Sequence, residues 1–98
     1  MGTPLDDEAL AAALSALPEW TGDTNALSRT ASLPTFLAAI AVVDKIALVA
    51  EELDHHPDID IRWRKLGFTL STHAAGHRVT SNDVELAHRI DAIVNSAS

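Results

Sequence analysis

His55 and His56 stand side by side directly before Pro57, a third imidazole follows at His73, and a carboxylate at Asp83. The chain has five histidines, and four of them fall between His55 and His77. Imidazole is the side chain whose ordinary pKa, roughly 6.5, lets it both give and take a proton near neutral pH. Several of them drawn from separate segments make a candidate proton-transfer centre. The same residue types can instead hold a metal ion or lie idle on a surface. Neighbouring His55 and His56 chelate poorly compared with an i, i+4 pair on a helix, which disfavours the metal. Thiolate ligands and thiol redox chemistry are excluded, because there is no cysteine.

The elements that must bring these groups together can be read from the pattern. Pro34 favours an extended Leu33, and Thr35 is a good N-cap for a long helix from Thr35 to Asp54. Phe36, Ile40, Val43, Ile46, Ala50 and Leu53 mark one face of it, and it should run ~30 Å. The His56-Pro57 junction should end it, which places the histidine pair at the helix C-terminus. Ile59, Ile61 and Trp63 then alternate with Asp58, Asp60 and Arg62 as a strand, which puts Trp63 in the core. In the strand that follows, Phe68 and Leu70 alternate with Thr69, Ser71 and His73, so parity turns His73 away from the apolar face. Gly76 lies in a loop, and a last helix begins at Thr80 or Ser81 with Val84, Ala87, Ile90 and Ile93 or Val94 inward, before a frayed tail from Asn95. Thr80-x-x-Asp83 resembles a capping box, with Asp83 in place of the usual Glu or Gln.

Upstream, Thr3 as N-cap and Pro4 in the first turn predict a helix carrying Leu10, Ala13, Leu14 and Leu17, stopped by Pro18. Residues 19–33 read as a hairpin around Gly22-Asp23-Thr24-Asn25, with an alternation weak enough for an edge or half-exposed sheet. The order is α-β-β-α-β-β-α, an α+β fold: a four-stranded antiparallel sheet with three helices on one face.

Composition narrows the function classes. With 98 residues, one domain spanning 1–98 is expected. An apolar content of 47% argues against disorder. Seven basic against fourteen acidic residues give a net charge of −7, which repels phosphate backbones and argues against direct nucleic-acid binding. The longest apolar run, Phe36 to Val43, falls far short of the ~20 residues of a membrane span. Asp6, Asp7 and Glu8 do not resemble the basic start of a secretion signal. A soluble cytoplasmic protein is expected.

Glu51, His55-His56-Pro57, Trp63, His73 and Asp83, at their spacings, resemble the signature of the pterin-4a-carbinolamine dehydratases. Ala50-Glu51-Glu52-Leu53-Asp54 before the pair and Thr69-Leu70-Ser71-Thr72 before His73 fit as well, and the resemblance spans about residues 8 to 95. It implies the same α+β architecture. It also implies a hydro-lyase that dehydrates 4a-hydroxytetrahydrobiopterin to the quinonoid dihydropterin, recycling tetrahydrobiopterin, with neither metal nor redox cofactor. By position, His55 and His73 are the implied proton-transferring pair and His56 holds or orients the pterin. Pro57 fixes their direction, and Asp83 caps its helix, orients a histidine, or both. Trp20 falls where the family has a pocket tryptophan; Glu51, the other candidate for substrate binding, stands one helical turn before His55, where a solvated acid is commonplace. His77 and His88 lie outside the signature, and His88 should face solvent. The resemblance implies a homodimer or homotetramer. The alternative is a catalytically silent relative acting as a binding or assembly-factor module, which would be expected to lose motif histidines.

Between His73 and Asp83 the chain is slightly longer than the mammalian members it resembles, which leaves the partner of Asp83 open.

Overall fold

The computed structural model describes residues 3–97. Helix α1 spans Asp7–Ser15, and its N-cap is Asp6, whose carboxylate accepts the Ala9 N–H at 2.8 Å. The start expected at Thr3 therefore moves along the chain. Pro4 instead bridges to Thr80, and the Leu5 N–H donates to the Val79 carbonyl at 2.9 Å, so this segment is tied to the entrance of the last helix. A backbone engaged in that pairing is not free to coil.

Strands β1 (Thr21–Gly22) and β2 (Leu27–Ser32) form the first hairpin. Gly22 has φ +151° and packs so closely that a Cβ would lie 2.2 Å from the Ala26 carbonyl oxygen; no other residue fits there. Strand β2 lies inside the sheet, but β1 covers it only at Leu27 and Ser28. Over the rest of its length it is open on that side, which explains its weak alternation.

Helix α2 (Phe36–Leu53) is capped by Thr35, whose hydroxyl accepts the Ala38 N–H at 3.0 Å. Its buried face is Ala39, Val42, Ile46 and Ala50, rotated from the expected one, and Phe36 is half exposed. The residues from Phe36 to Val43 are apolar all round, so periodicity alone could not set the phase. Strands β3 (Asp58–Arg62) and β4 (Lys65–Leu70) make the second hairpin, and α3 covers Ser81–Ala97. The tail expected to fray thus stays helical to Ala97.

The four strands run antiparallel in the order β1-β2-β4-β3. Leu27 and Ala31 of β2 and Leu66, Phe68 and Leu70 of β4 face the helices and are buried with Leu10, Val42, Ile46, Leu86 and Ile90. Each such large apolar side chain stabilises the fold by about 1.5–3 kcal/mol. Ser28, Thr69 and Asp58 align across the opposite, open face. The α+β architecture and its element order are those expected.

Two details differ. Trp63 is not in the core: β3 ends at Arg62, and Trp63 sits at the first central position of a two-residue turn with φ 56°, 72% exposed. Arg62 pairs directly with Lys65, and the right-handed twist of such a hairpin favours a left-handed residue at that point. The Arg64 guanidinium lies 5.3 Å from the centre of the Trp63 ring. Secondly, β4 ends at Leu70 and His73 opens a 3-10 turn, His73–Ala75, so strand parity does not govern His73.

Candidate active site

The end of α2 sets the first imidazole. Asp54 is left-handed (φ 50°), its N–H donates to the Glu51 carbonyl, and the His55 N–H donates to the Ala50 carbonyl at 3.0 Å. This is a Schellman closure with Asp54 at the residue usually filled by glycine and His55 just beyond. The helix is stopped by this turn before Pro57 is reached. The main chain of His55 is thereby bonded into the helix it leaves.

The side chain of His55 reaches α3: its Nε2 lies 2.5 Å from Asp83 Oδ1. Asp83 is fully buried. Its other oxygen, Oδ2, accepts the Thr80 N–H and the Thr72 hydroxyl, both at 2.8 Å. The Thr80 hydroxyl lies 2.8 Å from that of Thr72 and accepts the Asn82 N–H at 3.2 Å. With the Thr72 proton committed to the carboxylate, the Thr80 proton must point to Thr72. The donors run one way, Asn82 to Thr80 to Thr72 to Asp83, and a buried carboxylate with two other donors calls for His55 Nε2–H as its third. That leaves Nδ1 as the ring nitrogen available to a ligand. Asp83 therefore caps α3 and holds His55 at once, and His55 is the partner that the sequence left open.

His56 diverges from its neighbour, as adjacent residues beyond a helix end do. Its Nε2 lies 2.5 Å from Glu51 Oε2, and both side chains are more than half exposed. Glu51 thus partners His56 rather than His55. His73, at the head of its 3-10 turn, is exposed. A cleft of ≈ 680 Å³ is lined by His55, His56 and Pro57 from beyond α2, by Ser71, Thr72 and His73 beyond β4, and by Asn82 of α3. The adjacent pair His55-His56 and the more distant His73 share this one hollow. Glu51 and Trp20 do not line it.

Trp20 lies in the core instead, 4% exposed, with its ring centre 6.4 Å from that of Phe68. Its Nε1–H donates to Asp91 Oδ1 at 2.8 Å, and the same oxygen is paired with the Arg29 guanidinium. His88 is exposed, as expected. Among the described residues, no three His, Asp or Glu side chains are grouped so as to hold a metal ion, and no helix is long and apolar enough to cross a membrane.

Thr72, whose hydroxyl completes the shell of Asp83, is not marked in the sequence, since nothing in its spacing distinguishes it from an ordinary strand threonine. Asn82 is likewise unmarked.

The profile of the family described as Pterin 4 alpha carbinolamine dehydratase matches residues 3–93. The chain belongs to that family. Among its relatives in this dehydratase family, a protein from Nocardia farcinica is 53% identical over 91% of this chain and 93% of its own length. One from Mycolicibacterium smegmatis is 48% identical over 93% and 96%. Both names assign those proteins to the dehydratases provisionally. A crystal structure described as a transcriptional coactivator/pterin dehydratase from Brucella melitensis superimposes with a TM-score of 0.89 at 31% identity, covering 94% of this chain and 99% of that one. A pterin dehydratase-like protein described as a RuBisCO assembly factor of the alpha-carboxysome matches with a TM-score of 0.62 at 22% identity, over 76% and 86%; that likeness concerns the fold alone.

Proposed function

We propose that this chain is a hydro-lyase acting on 4a-hydroxytetrahydrobiopterin, as one domain spanning 1–98, in the cytoplasm and in a homo-oligomer. The observation that carries the reading is the buried Asp83 holding His55 at the wall of a cleft that His73 and His56 also line. In the reaction, the C4a–O bond breaks as its hydroxyl takes up a proton and leaves as water. The N5–H proton departs, and its electron pair forms the C4a=N5 bond of the quinonoid dihydropterin. One proton is delivered and one removed, so two proton carriers suffice and nothing is oxidised. His55, fixed through Nε2, works through Nδ1, and His73 serves as the second carrier. Either can act as acid, depending on which face of the pterin carries the hydroxyl. His56 orients the ring from the rim. General acid-base assistance of this kind contributes about 10²–10⁴-fold.

The test is a stopped-flow ultraviolet measurement on carbinolamine generated by an aromatic amino-acid hydroxylase. The wild-type chain should accelerate decay of the carbinolamine absorbance, and His55→Ala with His73→Ala together should remove most of that acceleration. A wild type without effect would transfer the chain to the silent binding or assembly modules.

A further inference from the structure

Each motif imidazole of the cleft needs something to hold its ring. His55 has Asp83 and His56 has Glu51. His73 makes no side-chain hydrogen bond or ion pair among the described residues; its ring contact is with His77, the centres 4.5 Å apart and the planes at 49°. His77 belongs to no part of the family signature read above.

The loop that delivers His77 is built rather than slack. The Thr72 carbonyl receives the N–H groups of Ala75 and His77 at 3.1 Å and of Arg78 at 3.4 Å, while the Gly76 N–H donates to His73 at 3.0 Å. Thr72 and Arg78 close the loop as an isolated bridge. Gly76 and then His77 take left-handed conformations, with φ 75° and 60°. For glycine this costs nothing, but for histidine it is a strained conformation, and such strain persists only where surrounding contacts enforce it. The consequence of the strained residue is that its ring is turned back onto His73. We infer that His77 is a positioning residue, packing on the imidazole of His73 to hold it at the cleft; its catalytic consequence rests on the dehydratase reading above.

The test compares His77→Asn and His77→Phe with wild type. Asparagine tolerates the left-handed backbone but carries no ring, whereas phenylalanine restores a ring without ionisable nitrogen. Thermal melting establishes that both variants fold. His77→Asn should lower kcat about 10-fold with KM within about twofold, since a misplaced catalytic group costs rate rather than affinity. His77→Phe should recover most of that loss. In histidine-labelled protein, the ring resonances of His73 should move in His77→Asn while those of His55 stay. Unchanged kcat and unmoved His73 resonances in His77→Asn would overturn the proposal. So would a His77→Phe variant as slow as His77→Asn, which would mean that the nitrogen chemistry of His77, not its packing, matters. If wild type fails to dehydrate carbinolamine, the dehydratase reading falls, and the His73 resonances alone decide whether His77 holds that ring.

Discussion

Asp83 holds His55 with one carboxylate oxygen and caps its own helix with the other. One residue thereby ties the start of α3 to the exit of α2, and the placement of an imidazole becomes part of folding. Asp83→Asn is nearly isosteric but offers an amide that cannot accept at both positions. His55 then loses its reason to keep the proton on Nε2. We expect kcat to fall by ~10² or more, by the logic of a histidine left in the wrong tautomer, and stability to fall by about 1–3 kcal/mol. Carbinolamine kinetics and urea unfolding check the two effects separately.

Thr72→Val deletes a donor to Asp83 and an acceptor for the Thr80 hydroxyl while keeping the side-chain volume. The fold should lose about 1–2 kcal/mol. Activity should drop less than in Asp83→Asn, because the contact between His55 and Asp83 survives. A double variant of Thr72 and Asp83 should show effects well short of additive, since the two act in one network.

Trp20 is bound to Asp91, which is also paired with a largely buried Arg29. Asp91→Ala strands the guanidinium and should destabilise by about 3–5 kcal/mol. Trp20→Phe keeps most of the packing and loses the N–H bond, at a cost of about 1 kcal/mol. Its KM for the pterin should equal that of wild type; a raised KM would return Trp20 to the substrate site. The exposed Trp63 should account for the red-shifted, acrylamide-quenched part of the fluorescence and Trp20 for the protected part.

Asp54 occupies the left-handed closing position of α2. Asp54→Gly relieves that strain and should stabilise by about 0.5–1 kcal/mol, although the unfolded chain gains freedom that offsets part of it. The melting temperature reads the sign.

The parts of this fold legible in the sequence are those decided by local chemistry. Thr35 before an apolar run and Thr80 three residues before Asp83 announce helix starts because a side-chain oxygen meets an orphan amide there. The phase of α2 was not legible, since its first turns are apolar on every side. The settings of Trp63 and His77 are not legible because each depends on a positive φ that a bulky side chain seldom adopts. The alternation that runs through Ser71 extends the strand to His73 on paper, whereas the chain turns at Thr72, where one carbonyl gathers three amides. The membership of His55, His56 and His73 in one cleft could be anticipated only from the resemblance, as their separation along the chain carries no distance.

The Schellman closure at Asp54 also sets an asymmetry of compliance. One jaw of the hollow is welded to the tip of an eighteen-residue rod and pinned again from α3. The opposing jaw stands on a three-residue turn closed by its own backbone hydrogen bonds. A guest molecule arriving there meets at His55 a ring fixed by a carboxylate and at His73 a ring held by packing alone, so whatever accommodation its bulk demands falls to the His73 side chain rather than to the loop that carries it.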